Sequence, residues 1–241
     1  MDALQDHLPQ IVTAIGGLGT AAFGLLDAFK SVIPWINHIG FGRIHSTASG
    51  LSPESADAKL PANALPQKDI IDSLLANWVN GTDLKSQKAI AKTLIKLHLS
   101  ESNANALAAA TNVDPKLLSS VAVKTLKGDP LAPEESDAFS RFDLIVTAQL
   151  DEAYQHGDQV YRNWTRALAA LLAVALAVVG AWTLATNPTT MAGAQATSFW
   201  QSKELFQAIL IGLLATPLAP IAKDISSALA TAVNTMQSIK K

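Results

Sequence analysis

The sequence predicts an all-α membrane protein with three transmembrane helices, a small cytoplasmic helical bundle and a long helix continuous with the second span. Of the 241 residues, 49% are hydrophobic and only 16% are charged, whereas about 25% are charged in soluble domains. The apolar residues are also clustered. Some stretches reach the roughly 20 residues that a helix needs to cross the hydrocarbon core of a bilayer.

These stretches divide the chain into six segments with different expected environments. They are an N-terminal membrane helix (1–36), an interfacial turn and linker (37–65), a cytoplasmic helical bundle (66–133), a long helix running into the second span (134–186), an extracytoplasmic loop (187–203), and a third span with an amphipathic C-terminal tail (204–241).

The first segment, "QIVTAIGGLGTAAFGLLDAFK", contains a G-x-G-x-x-A pattern that begins at Gly17. In a dinucleotide-binding fold this loop follows a strand, and an acidic residue lies about 20 residues further on. The next acid here is Asp27, which is too close, and no second buried strand follows. A helix that crosses the membrane therefore explains the segment better than a nucleotide site.

As a helix, this segment has a large-apolar face, suited to lipid or a hydrophobic partner, and a small-residue face. We call the second face the small-residue stripe: Thr13, Gly17, Thr20, Gly24, Asp27 and Ser31. Such residues permit close approach of another helix, or they can line a polar pore. The alternative is a helix lying flat at the interface, but such helices usually carry Lys and Arg on their polar face. A helix that spans the membrane is therefore favoured over one that lies flat.

Two charged residues close to this first span are candidate sites. Asp27 lies within the apolar segment, where an acid suggests function; the alternative is an ion pair with Lys30 at the inner interface. Arg43 lies in "HIGFGRIHS", where Gly40 and Gly42 allow a tight turn, and it could hold a lipid headgroup phosphate. The alternative for this stretch is a plain interfacial turn.

The middle of the chain is polar and shows four short amphipathic helical patterns. Thr82 and Ser100 are the expected N-caps of the second and third patterns. The fourth is expected to have Asp114 as its cap, Pro115 at its first position and Gly128 as its stop. Four such helices predict a small bundle.

Residues 106–121, "ALAAATNVDPKLLSSV", have the spacing of a DNA-binding helix-turn-helix. DNA binding requires a basic face, but positive and negative charges nearly balance in this region, and the whole chain has a formal charge of −2. A plain helical hairpin is therefore expected, and nucleic acid is not an expected partner.

The second and third spans come from residues 167–186 and 205–222, neither of which contains a charged residue. No proline interrupts the helical pattern between about 135 and 186, so one continuous helix is expected there. The third span contains Pro217 and Pro220, which remove backbone donors and should form a hinge.

The distribution of positive charge predicts the orientation. Most Lys and Arg lie between residues 43 and 166, whereas the N-terminal tail and residues 187–201 contain none. Because positive loops stay in the cytoplasm, the N-terminus is expected outside and the C-terminus inside. Lys203 is the exception, beside Glu204 on the outer side. If the first segment lies flat, the N-terminus is inside and the other spans keep their orientation.

Residue patterns typical of enzymes are missing from the sequence. It has no cysteine, its five histidines are scattered, and no serine lies in a G-x-S-x-G elbow. No catalytic residue, metal site or cofactor is expected, and the chain is not expected to be an enzyme.

The run "RFDLIVTAQLDEAYQHGDQVYRNWTRALAALL" resembles a group of uncharacterised multi-span bacterial inner-membrane proteins. The shared features are Phe142-Asp143, Leu150-Asp151, Tyr161-Arg162 before a span, and Asn187 after it. Leu150 stands where the group has Met, and Ala153 and Tyr154 also depart from its pattern. The resemblance implies a location in the bacterial inner (cytoplasmic) membrane. It implies no particular activity.

Together these observations predict an oligomeric membrane protein of channel-like or pore-forming type, with the small-residue stripe inside a homo-oligomer. The alternative is a membrane scaffold whose cytoplasmic bundle binds a protein partner. The expected partners are thus the lipid bilayer, further copies of the chain and a cytoplasmic protein.

Overall fold

The computed structural model describes residues 2–53, 65–186 and 199–239, with side chains described only between residues 11 and 221. Within these ranges the ordered elements are helices, which confirms the all-α class. They are α1 (Asp2–Val32), a 3₁₀ helix (Pro34–His38), α2 (Phe41–Gly50), α3 (Gln67–Val79), α4 (Leu84–His98), α5 (Ala104–Thr111), α6 (Pro115–Lys127), α7 (Pro133–Thr186) and α8 (Lys203–Ile239).

Three of these helices are long and apolar enough to cross a membrane, as predicted. They are α1 over Ile11–Val32, α7, and α8 over Lys203–Ile221. The 54 residues of α7 far exceed the length of one span, and its charge-free part is residues 167–186. The long helix that runs into the second span is therefore confirmed.

The chain forms two compact units. The membrane unit comprises Met1–Ile33 and Asn163–Lys241, and the bundle unit comprises Pro34–Arg162. Helix α7 contributes to both. Most of the expected loop 187–203, part of the expected linker, and the side chains of the amphipathic tail lie outside the described residues.

In the membrane unit, α1, the last part of α7 and α8 meet through small side chains. Ala22, Ala173 and Ala215 are buried together, and larger residues pack around them: Ile15, Leu18, Leu172 and Leu176. Small residues at the contact allow helix backbones to approach closely, which favours dispersion contacts where the hydrophobic effect is weak. Gly212 of α8 likewise lies directly against the backbone of Val174 in α7, because it has no side chain.

The bundle unit is built around the first half of α7. Its core side chains recur on one face of that helix, because residues three and four positions apart share a face. The other helices cover this face with apolar residues of their own. Fully buried members include Ile44, Ile70, Leu74, Ile95, Leu107, Leu118, Phe142, Val146, Leu150 and Tyr154.

Helix α2 lies within the expected linker 37–65, so that part of the linker assignment needs correction. Phe41, Ile44 and Ala48 are buried in the core of the bundle unit. Their spacing is helical, but the stretch is short and contains Gly, Ser and Thr, a composition that favours a linker. Tertiary burial of one face outweighs this weak helix propensity.

Two of the expected helix caps are wrong and one is confirmed. Helix α4 is capped by Asp83 rather than Thr82, because the Asp83 carboxylate accepts a hydrogen bond from Ser86 N at 3.0 Å. Helix α5 begins after Asn103, not at Ser100. At α6, Asp114 accepts from the first backbone N–H groups and Gly128 ends the helix with φ 77°, as expected.

A row of lysines on α4 pairs with acids on α7. Lys88 Nζ lies 2.6 Å from Asp151 Oδ1, and both Lys92 and Lys96 contact the carboxylate of Asp143. Burial would raise the pKa of Asp143, but the hydrogen bonds from the two lysines outweigh it and hold the pKa below its usual range. Asp143 and Asp151 of α7 thus hold α4 on α7 through these ion pairs.

Candidate functional site

The small-residue stripe of α1 faces away from the helices that pack within the chain. Gly17, Thr20, Gly24, Asp27 and Ser31 are exposed, and only Thr13 is half-buried. A Cβ added at Gly17 or Gly24 would meet nothing within 4 Å. The stripe therefore makes no close helix contact within the described chain, and its surface is available to another molecule.

The close approach of α1 occurs instead on its opposite face, at Gly19. A Cβ there would overlap the backbone carbonyl of Ala215 in α8. Gly19 does not belong to the small-residue stripe, whose glycines were the expected packing residues. A signal was present: Gly19 follows Ile15 by four residues and precedes Ala22 by three, so it interrupts an otherwise apolar face.

Polar groups on the stripe are mostly satisfied within α1 itself. The Thr20 hydroxyl donates to the carbonyl of Gly16 at 3.0 Å, and the Ser31 hydroxyl donates to that of Ala28 at 2.6 Å. Lys30 Nζ lies 2.8 Å from Asp27 Oδ1. The contact expected under the alternative interpretation of Asp27 is thus present, although 72% of the Asp27 side chain stays exposed.

Arg43, the candidate lipid-headgroup residue, is bound to Glu152 of α7. Its Nη2 lies 3.1 Å from each carboxylate oxygen and its Nε lies 3.3 Å from Oε2. This partner could not be predicted from the sequence, because the two residues are 109 positions apart. Both side chains are about half exposed, so the guanidinium still reaches solvent, and its binding to a lipid phosphate stays a prediction.

Helix α8 continues through Pro217 and Pro220, the expected hinge residues, and both are exposed. Proline has no N–H, so the carbonyls of Leu213 and Thr216 each lose their usual intrahelical donor. The buried hydroxyl of Thr216 also has no hydrogen-bond partner in the described part of the chain. The backbone hydrogen bonding of α8 is therefore weakest at these prolines. That α8 bends there stays a prediction.

An apolar groove of about 760 Å³ opens between α1, α7 and α8 in the membrane unit. Its walls are aliphatic, with Glu204 and Gln207 as the polar residues among those that line it. Groups of three or more His, Cys, Asp or Glu side chains that could hold a metal ion do not occur among the described residues. The groove therefore suits an apolar chain more than a polar substrate.

Comparison with known proteins gives no relative from which a role could be transferred. No protein family, no curated protein sequence and no solved structure matches the chain. The resemblance of residues 141–172 to bacterial inner-membrane proteins therefore stays an expectation. Any functional conclusion rests on the residues of this chain.

Proposed function

We propose that this membrane protein assembles into a channel-like homo-oligomer, in which the small-residue stripes of neighbouring α1 helices face one another. The observation that carries the proposal is the direction of the stripe. Helix α1 uses its Gly19 face to pack on α8, which leaves the stripe exposed.

An exposed stripe of this composition is poorly matched to lipid. A charged Asp27 within or beside a span is costly to expose to hydrocarbon, and Gly17 and Gly24 offer no side chain for lipid tails to contact. A second copy could approach these glycines closely, because small residues let helix backbones come together. Closed cyclic symmetry would bring one stripe from each subunit to a common axis.

The carboxylates of Asp27 would then form a ring, and such rings favour cations in a pore. Lys30 weakens the ring, since it contacts the same carboxylate. We therefore propose modest cation selectivity that depends on Asp27. If the copies pack without a water-filled path, the same surface supports the alternative, a membrane scaffold whose bundle binds a cytoplasmic protein.

Ion flux through the purified full-length protein in planar bilayers tests the pore. Asp27→Asn keeps the shape of the side chain and removes its charge, so we expect conductance with reduced cation selectivity. Asp72→Asn, a charge removal on α3 of the bundle unit, is the control and should leave selectivity unchanged. Absence of ion flux in the parent protein would contradict the pore.

Subunit number, measured by native mass spectrometry, tests the oligomer separately. Gly17→Leu and Gly24→Leu should reduce it, because a branched side chain blocks close approach of the helices. Leu25→Phe adds bulk at an exposed position outside the stripe and should leave assembly intact. A parent protein that is monomeric, or glycine variants that assemble normally, would contradict the proposed interface.

A further inference from the structure

The apolar groove of about 760 Å³ in the membrane unit lies at the end of the spans where α7 ends and α8 begins. Along α8 it runs from Glu204 to Ile211, a length of roughly 10 Å at about 1.5 Å per residue. Glu204 and Gln207 lie near the start of α8, and the other residues that line the groove are apolar. The groove therefore has a polar mouth at one membrane surface and an apolar interior that reaches into one leaflet.

The apolar interior is wide because small residues line much of it. They include Gly180 and Ala181 of α7 and Ala208 of α8. A Cβ added at Gly180 would meet nothing within 4 Å, so the chain itself does not fill the space in front of this residue. An apolar wall with no neighbouring atoms loses its dispersion contacts, and at this depth the surrounding molecules are lipids. The position of the groove therefore favours an acyl chain as its occupant.

The choice between one lipid and another depends on the mouth, because a lipid tail gains little by leaving a bilayer that is equally apolar. Glu204 is exposed and forms no ion pair within the described part of the chain. Lys203, directly before it, is also exposed. Two opposite charges on one turn match a zwitterionic headgroup, whose ammonium is attracted by the carboxylate and whose phosphate is attracted by the lysine.

We propose that the groove holds one acyl chain of a phosphatidylethanolamine molecule, with its ammonium at Glu204 and its phosphate near Lys203. A primary ammonium has N–H groups that donate charge-assisted hydrogen bonds to a carboxylate. The trimethylammonium of phosphatidylcholine has the same charge but no N–H group, so this lipid should bind more weakly. The pairing also gives a role to Lys203, the exception in the charge distribution from which the orientation was predicted.

Lipid retention by the full-length protein tests the headgroup assignment. Native mass spectrometry counts the lipids that stay bound after release from nanodiscs of equal phosphatidylethanolamine and phosphatidylcholine with identical acyl chains. We expect phosphatidylethanolamine to be preferred by roughly two- to fivefold, the range of an exposed charge pair. Glu204→Gln should remove this preference, whereas Glu134→Gln in the bundle unit should leave it intact. Equal retention of both lipids by the parent, or an unchanged preference in Glu204→Gln, would overturn the inference.

Two variants of α7 test whether the acyl chain lies in the groove. Gly180→Leu places a branched side chain in the open space and should reduce the retained phosphatidylethanolamine. Val179→Phe adds bulk at an exposed position that does not line the groove, so retention should stay the same. Circular dichroism confirms that both variants are folded. Normal retention by Gly180→Leu would contradict the site, and a lower subunit number with normal retention would assign the groove to a second copy instead.

The groove is formed by a single chain, so this inference does not depend on the proposed channel. A protein that is monomeric and passes no ions should still retain phosphatidylethanolamine in preference to phosphatidylcholine. Conversely, a conducting oligomer without this preference would overturn the lipid site and leave the channel in place.

Discussion

Gly40 and Gly157 touch backbone to backbone in the bundle unit: a Cβ on Gly157 would lie 2.7 Å from the carbonyl oxygen of Gly40. Gly40 also has φ 87°, a left-handed conformation that L side chains rarely adopt. The turn before α2 can therefore lie directly on α7 only because both positions lack a side chain.

Gly157→Ala should destabilise the protein by roughly 1–3 kcal/mol, the usual cost of overpacking. The better helix propensity of Ala, about 1 kcal/mol, would offset part of this loss. Gly180→Ala on the same helix has open space around its Cβ, so it should be neutral or slightly stabilising. Thermal unfolding in one detergent compares them, and equal midpoints would contradict the contact.

The contact between Gly19 and Ala215 gives a parallel prediction for the membrane unit. Gly19→Ala should destabilise the packing of α1 on α8 by roughly 1–3 kcal/mol, since its Cβ would overlap a carbonyl that cannot easily move. Gly180→Ala, outside the small-residue stripe, adds the same methyl group without overlap. Resistance of the two variants to proteolysis and heat provides the measurement. Equal resistance of the two variants, or lower resistance of Gly180→Ala, would contradict the packing of α1 on α8.

Stability should depend on pH through Glu135. This buried carboxylate accepts hydrogen bonds from Lys124 Nζ, Ser120 Oγ and Ala132 N, which lower its pKa from 4.5 to about 2. Because the folded pKa lies below the unfolded value, its stabilisation is complete above pH 4.5 and is lost as the pH falls towards 2.

Glu135→Gln should therefore be less stable than the parent at neutral pH, and the difference should shrink between pH 4.5 and 2. Glu134→Gln, an exposed neighbour on the same turn of α7, serves as the matched control. Thermal midpoints across this pH range measure the effect. A constant difference between the parent and Glu135→Gln at all pH values would mean that Glu135 does not contribute through its charge.

The ion pair between Arg43 and Glu152 allows lipid binding at Arg43 to be tested with two opposite variants. If the guanidinium holds a lipid phosphate, Arg43→Ala should reduce retention of anionic lipid, measured by native mass spectrometry. Glu152→Gln should increase it, because the competing carboxylate charge is removed while its shape is kept. The pair itself should contribute only about 0–1 kcal/mol to stability, since both partners are half exposed. Unchanged retention in both variants would leave Arg43 a purely structural residue.

The proposed topology can be tested because the chain contains no cysteine. We expect a membrane-impermeant thiol reagent to label Gln201→Cys in intact cells. Lys116→Cys should react only after the membrane is broken. Both positions are exposed, so burial does not protect either thiol. Labelling of Lys116→Cys alone in intact cells would show the opposite orientation to the one expected.

Several features of this protein follow from the sequence because they depend on local composition. Charge-free runs of about 20 residues predict spans wherever they occur, and the absence of proline between 135 and 186 predicts the unbroken helix α7. The cap at Asp114 and the stop at Gly128 were also predictable. In each case the deciding interactions lie within a few residues along the chain.

Other features depend on partners far away in sequence. Gly17, Gly19 and Gly24 look alike locally, and only the position of Ala215 decides which of them is the site of close packing within the chain. Helix α2 exists because its apolar face is buried by other helices. The pairing of Arg43 with Glu152 and the unsatisfied amide of Gln87 likewise arise from packing. Local patterns report propensity and hydropathy, whereas burial and hydrogen-bond satisfaction are properties of the tertiary structure.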